Sequence, residues 1–307
     1  MKAEMIYRYG GAEELQYGEM PMPTLNKDDV LIKVVATSIN PVDYKVREGH
    51  DKWGERKFPV ILGWDVSGVI EQVGRDVKDF HVGDEVYARP DVRRNGTYAE
   101  YVAVRAGEIA LKPRKLDHLQ SAVIPLAGLT AYQGIFTHGK LQEGQRVLIN
   151  GASGGVGSFA VQLARWKGAY VIGTASGANA GFVKELGADE FIDYQTEDVV
   201  AKLNNLDLVF DLIGGDQQRQ LINVLKPGGI LVSTVGITNE ASAKAMGIKT
   251  VAYMAQSVPE DLRMLAKLAD EGTIRPVISN VFSLNDIPKA QQLIESGHVR
   301  GKIGIQI

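Results

Sequence analysis

The rhythm of hydrophobic and polar positions changes near Ser121 and again near Pro259. Up to residue 120, apolar residues come in short β-branched or alternating runs. These are "VLIKVVA" at 30–36, "VSGVIEQV" at 66–73 closed by Gly74-Arg75-Asp76, 85–88 after Gly83-Asp84, and 98–104. Short strands separated by Gly, Pro and Asp turns predict a compact, partly open β-barrel.

Beyond Ser121, apolar runs alternate with segments of helical period. Strands are expected at 146–150, 170–175, 190–193, 206–213, 229–235 and 248–254. Helices are expected at 155–167, 179–186, 197–203 and 216–225. In the first of these helices Val156, Phe159, Ala160, Leu163 and Ala164 share one stripe. Such alternation predicts a parallel sheet covered on both faces. Pro259 fits the first position of a helix through 270. Strands at 274–282 and 302–307 are expected around a helix at 285–295, and this tail is expected to return to the barrel. The fold class is therefore α/β, with one domain at 1–120 completed by 257–307 and a second at 121–256.

Composition removes several chemistries. The chain has no cysteine, which excludes disulfides, thiol nucleophiles and thiolate zinc sites. Its five histidines, at 50, 81, 118, 138 and 298, show no metal-ligand spacing. Net charge is −3, and the arginines at 89–94 are broken by Pro90 and Asp91, so no nucleic-acid partner is expected. No apolar run approaches the ~20 residues of a membrane span. The opening "MKAEMIYRYGG" has neither the apolar core nor the small-residue site of a signal peptide. A cytoplasmic protein without a membrane partner is expected.

Residues 148–157 read "LINGASGGVG". Gly151, Gly154 and Gly157 form G-x-x-G-x-x-G, a variant of the dinucleotide fingerprint, between a predicted strand and a predicted helix. Unpaired N–H groups at a helix start favour an anion, and glycine lets a pyrophosphate approach. The loop Gly151, Ser153, Gly154, Gly155, Val156 and Gly157 is the candidate phosphate cradle; the alternative is a tight turn without a ligand. NAD-binding sheets place an acid about 20 residues on, at the end of the second strand. Here that strand ends Thr174-Ala175-Ser176, with Asn179 following and no acid. Hydroxyl and amide donors there favour NADPH, although the nearest cation in sequence is Lys184.

Seven ordered stretches resemble one family: "SINPVDYKVREG", "ILGWDVSGVI", "FHVGDEVYA", "GTYAEYV", "PLAGLTAYQGI", "GASGGVG" and "GHVRGKI". They are similar to the medium-chain dehydrogenase/reductase superfamily, and most of all to the zinc-free quinone oxidoreductases related to zeta-crystallin. The resemblance implies a GroES-like β-barrel catalytic domain, a doubly wound Rossmann domain, and NADPH in a cleft between them. Zinc alcohol dehydrogenases of that superfamily carry a cysteine and a G-H-E motif at the metal. Asn40 stands at the cysteine position here, and Gly63-Trp64-Asp65 replaces G-H-E.

Without a metal, alcohol oxidation is poorly supported. A quinone or an α,β-unsaturated carbonyl needs only orientation and a donor to its oxygen. By resemblance, Asn40 and Tyr44 lie near the nicotinamide as candidate catalytic residues; the plainer reading is a turn and a packed aromatic. Thr130 and Gly236 resemble positions beside the nicotinamide end, and Tyr194 one beside the adenosine phosphate. Arg300 and Lys302 resemble basic residues used toward the 2′-phosphate or ribose, against the reading of a solvated strand edge. Asp43 and Arg47 are expected to form an ion pair, and Asp211 to cap the loop after the fourth strand. Substrate shape is expected to depend on 49–58 and 235–250. The apolar strand "TVAYMA" at 250–255 would be a sheet edge, and the resemblance implies a homodimer. Three other readings are a nucleotide-binding sensor or structural protein without turnover, a zinc-independent alcohol dehydrogenase and, fitting the barrel poorly, a methyltransferase.

Overall fold

The computed structural model describes residues 1–50, 54 and 56–307, so part of the loop at 49–58 lies outside the described residues. The chain divides into two compact units: 1–129 with 257–272 and 276–307, and 130–256 with 273–275.

In the first unit β1 (Lys2–Ile6), β2 (Leu15–Glu19), β3 (Asp29–Ile39), α1 (Pro41–Arg47), β4 (Val60–Ile61) and β5 (Val66–Val73) come first. They are followed by β6 (Glu85–Ala88), β7 (Tyr101–Arg105), β8 (Ile109–Leu111) and α2 (His118–Ala122). β1 lies between β2 and β4 in a small antiparallel sheet. β3 is the spine of the larger sheet and pairs antiparallel with both β5 and β7. Its Val30, Ile32 and Val34 pack with Val66, Ile70, Val86, Val102 and Val104 in one buried cluster. Successive side chains point to opposite faces, so residues 30, 32 and 34 of the expected β-branched run meet one cluster. α2 packs across β3 and β5, which carries the unit past residue 120 to Leu129.

α3 (Pro125–Tyr132) continues into a π-helical stretch at Gln133–His138. The second unit then runs β9 (Arg146–Asn150), α4 (Gly155–Trp166), β10 (Tyr170–Ala175), α5 (Ala180–Glu185), β11 (Glu190–Asp193) and β12 (Leu206–Asp211). α6 (Gly215–Leu221), β13 (Leu225–Ser233), α7 (Glu240–Ala245) and β14 (Lys249–Ala252) complete it. The strand order is β11-β10-β9-β12-β13-β14, and every pairing is parallel. This is the doubly wound order, which switches direction between β9 and β12.

The chain returns to the first unit as α8 (Pro259–Asp270), β15 (Ile278–Ser283), α9 (Ile287–Glu295) and β16 (Lys302–Gln306). β16 pairs with β3, antiparallel.

The helix expected at 197–203 is a series of turns. Asp198 Oδ1 there accepts from the N–H groups of Val200 and Ala201, a local bond that competes with helix. The expected single stripe on α4 is also too narrow: Val161 and Gln162 are buried as well, while Val156 is half-buried. Gln162 is accommodated because its amide donates to the Arg275 carbonyl and accepts from the Arg275 N–H.

Candidate active site and nucleotide site

In the second unit, the expected cofactor residues gather at the carboxyl ends of the parallel strands. β9 ends at Asn150, Gly151 turns with φ +94°, and α4 starts three residues after Ala152. The glycines have different reasons to be there. A Cβ on Gly157 would fall on the Gly151 carbonyl oxygen, so Gly157 is required for α4 to approach the loop. Gly151 needs its left-handed backbone. Gly154 has an extended backbone, and a Cβ there would meet nothing nearer than the Gly151 oxygen at 3.6 Å. The folded chain therefore leaves room for a side chain at 154. Gly154 is the N-cap of α4 and offers no side-chain cap to the first N–H groups of this 12-residue helix, an arrangement that favours an anion at its start.

A polar net beneath the loop fixes it. Thr174 Oγ1 donates to Asn150 Oδ1 at 2.7 Å and accepts from Gly151 N–H at 3.2 Å. Thr174 was expected to bind the cofactor directly; it is buried and its hydroxyl is committed to Asn150 and Gly151, so it holds the loop from beneath instead. Asn150 Nδ2 donates to Asp211 Oδ1 at 2.7 Å. Asp211 also accepts from the N–H groups of Ile213 and Gly214, the expected loop cap. Gln218 Nε2 donates to Asp211 Oδ2 and to the Gly236 carbonyl, both at 2.8 Å. Asn150 and Gln218 were missed in sequence because neither stands in the glycine motif; they matter by tying β9, β10, β12 and β13 together. Ser176 caps the turn after β10 and accepts from Asn179 Nδ2 at 2.9 Å. Tyr194 follows β11 and is 53% exposed. Gly236 follows β13 with φ +98°. Thr130 is buried in α3, and its carbonyl accepts from the Tyr253 hydroxyl.

The first unit holds a different construction. Asn40 precedes Pro41 at the start of α1, and both Asn40 and Asp65 are buried. Asp65 Oδ2 accepts from Asn40 Nδ2 at 2.7 Å and Ser38 Oγ at 2.5 Å, while Oδ1 accepts from Leu126 N–H at 2.7 Å. Lys302 Nζ donates to Asn40 Oδ1 and the Ile39 carbonyl, and lies 3.5 Å from Asp65 Oδ2. Burial lowers the Lys302 pKa, opposed by the charges of Asp65 and Asp43. Lys302 is therefore not at a solvated strand edge. Its charge is committed to Asp65, which corrects its expected service to a 2′-phosphate. Arg300 is exposed just before β16. Asn40 is also corrected in part: its amide is engaged at both ends, so it anchors α1 instead of offering a free donor.

Tyr44 lies one turn along α1, half-buried, and its hydroxyl has no hydrogen-bond partner among the described residues. Burial raises its pKa, helped by Glu48 and Glu295, so the phenol stays protonated and can donate. Asp43 Oδ2 accepts from Asn40 N–H at 2.7 Å and the Tyr98 hydroxyl at 2.6 Å. Burial pushes its carboxyl up to about 7. The expected Asp43–Arg47 ion pair does not form. Arg47 instead donates to the Gly10 carbonyl, Gln291 and Glu295, stitching α1 to α9.

Comparison with known proteins places this construction. Residues 26–114 match the alcohol dehydrogenase GroES-like domain and residues 186–303 the zinc-binding dehydrogenase domain. The mouse mitochondrial NAD(P)H oxidoreductase RTN4IP1 is 35% identical, with 100% of this chain and 89% of that protein aligned. A chloroplastic NADPH-dependent alkenal/one oxidoreductase of Arabidopsis thaliana is 34% identical over 99% of this chain and 78% of its own. The solved quinone oxidoreductase of Coxiella burnetii superposes with TM-score 0.95 at 38% identity, covering 100% of this chain and 99% of that one.

The second domain's description implies zinc, and the residues present do not fit it. Asn40 and Asp65 already have donors on their oxygens, the Lys302 ammonium donates to Asn40 and lies 3.5 Å from Asp65, and Trp64 offers an indole that cannot ligate. Zinc binds to deprotonated sulfur, imidazole nitrogen or free carboxylate oxygen. With the doubly wound sheet and the whole-chain matches, this donor set gives the lineage: the chain belongs to the medium-chain dehydrogenase/reductase superfamily, in its zinc-free quinone oxidoreductase branch.

Proposed function

We propose that this protein is an NADPH-dependent reductase that delivers hydride to a quinone or an α,β-unsaturated carbonyl without a metal. The observation that carries the reading is Gly154, a glycine the fold does not need, at the uncapped start of α4. The names of the relatives support the acceptor classes, quinone and alkenal or enone.

Gly151, Ser153, Gly154, Gly155, Val156 and Gly157 hold the pyrophosphate through backbone N–H groups. Ser176, Tyr194 and Arg300 serve the adenosine end, and Thr130 and Gly236 the nicotinamide end. Bound there, NADPH supplies the hydride. As it arrives, negative charge grows on the acceptor oxygen and needs a donor. Tyr44 is the donor in this reading, its unpartnered phenol held protonated by burial. Asn40 positions Tyr44: the bonds to Asp65 and Lys302 fix the N-cap of α1, and the helix fixes the tyrosine one turn on. Solvent completes the protonation.

The same proposal includes a cytoplasmic homodimer. β14 pairs only with β13 among the described residues, and its free edge carries half-exposed Thr250 and Val251. Size-exclusion chromatography tests the dimer and cell fractionation the location. No helix among the described residues is long and apolar enough to cross a membrane.

Steady-state NADPH oxidation with 1,4-benzoquinone and with an alkyl enone tests the function. Turnover of either acceptor supports it. Tight NADPH binding without oxidation above background would favour a sensor, and turnover confined to alcohols with NADP⁺ would favour an alcohol dehydrogenase.

A further inference from the structure

The second strand of the parallel sheet ends without an acid, but its neighbour does not. β10 and β11 run parallel with Ala175 opposite Asp193. The carboxylate at the end of β11 therefore stands beside Ser176 and Gly177. A Cβ added to Gly177 would lie 2.5 Å from Asp193 Oδ2 and 3.3 Å from its Cγ, so the carboxylate in this rotamer occupies the space beside residue 177. Asp193 Oδ1 accepts from Gln195 N–H at 3.0 Å. Oδ2 takes no hydrogen bond, and Asp193 no ion pair, among the described residues. Glu197 accepts from the Asp193 N–H at 2.9 Å and pairs with Lys202, so that lysine is engaged elsewhere.

This arrangement bears on which nucleotide fits. An acid at the end of the second strand ordinarily accepts the ribose 2′-hydroxyl and opposes a 2′-phosphate. We propose that Asp193 is a specificity-determining residue that supplies that acid from the third strand. It counters the phosphate-friendly Ser176, so the protein accepts NADH as well as NADPH. The inference rests on the nucleotide site described above and concerns only the balance between the two nucleotides. A half-exposed carboxylate is screened by salt, yet it lies within a Debye length of anything seated on Ser176.

Isothermal titration of the whole protein with NADPH and with NADH, acceptor absent, reads the effect directly. The wild type is expected to bind both. Asp193→Asn should weaken NADH and tighten NADPH, moving the ratio of dissociation constants by about tenfold, the scale of one unit-charge repulsion near a surface. Asp193→Ser should move it the same way, and unchanged melting temperatures would confirm that both variants are folded. An unchanged ratio in both variants, with both nucleotides still bound, would overturn the role of Asp193 and leave the nucleotide site standing. Failure of the wild type to bind either nucleotide would overturn the site and this inference with it.

Discussion

Lys302 Nζ lies 3.5 Å from Asp65 Oδ2, and neither side chain is more than 4% exposed. Asn40 bridges the two, accepting from the lysine and donating to the aspartate. A buried ammonium is thus held by one carboxylate, one amide oxygen and the Ile39 carbonyl. Removing one member of such a pair leaves the other charged and unpaired. Lys302→Met should lower unfolding free energy by about 3–5 kcal/mol. The double variant Asp65→Asn, Lys302→Met should lose clearly less than the sum of the single variants. Urea denaturation of the four proteins measures the coupling, and additive losses would show that the pair is not coupled.

Asp43 gives stability a pH dependence of known sign. Burial pushes its folded carboxyl up to about 7, well above the 3.8 of an ordinary aspartate. A folded pKa above the unfolded one gives a contribution fully present below about 3.8 and lost as pH rises to about 7. Asp43→Asn keeps an oxygen for Tyr98 and the Asn40 N–H, and it cannot ionise. The stability of this variant relative to wild type should rise between pH 4 and pH 7 and level off above. Denaturant midpoints across that range would refute the assignment if the difference stayed flat.

The two glycines of the loop separate fold from ligand. Gly157→Ala places a methyl on the Gly151 carbonyl and should lower the melting temperature by several degrees, an overpacking cost of about 1–3 kcal/mol. Gly154→Val has room for its Cβ in the folded chain and should leave the first unit folded, while weakening NADPH about 100-fold or more, the scale of ~2.7 kcal/mol. Calorimetry with both variants checks the contrast. Unchanged NADPH affinity in Gly154→Val would remove the loop from the nucleotide site.

Ser176 faces the choice of nucleotide from the other side. Ser176→Asp adds a second carboxylate at the end of β10, next to Asp193. The ratio of kcat/KM for NADPH to that for NADH should fall by about tenfold. An unchanged ratio would show that Ser176 does not meet the 2′-phosphate.

The layered fold was legible because burial writes it in periods. β3, β5 and the parallel strands are apolar runs, and α4 and α8 start where glycine and proline mark them. The small sheet of β1, β2 and β4 was not legible: β4 has two residues, and β2 is mostly exposed. The turns at 197–203 misread as helix because side-chain bonds from Asp198 outcompete a weak periodic pattern. Glycines 151, 154 and 157 marked the strand-to-helix turn proposed to hold the phosphates, since close approach leaves a mark in residue type. Lys302 and Asp65 are 237 positions apart, and only the β16–β3 pairing brings the lysine to Asn40. Asp193 escaped for a similar reason. The expected acid was sought on the second strand, and lateral register places one on the third.

The central claim is metal-free hydride transfer from NADPH to a conjugated acceptor. It is tested most directly with NADPH deuterated at the nicotinamide C4, an alkyl enone and the chelator-treated protein, with the product examined by mass spectrometry. The account predicts NADPH consumption undiminished by the chelator and deuterium on the product carbon that received the hydride. Loss of activity on chelation, or product free of deuterium with either C4 stereoisomer of the label, would contradict it.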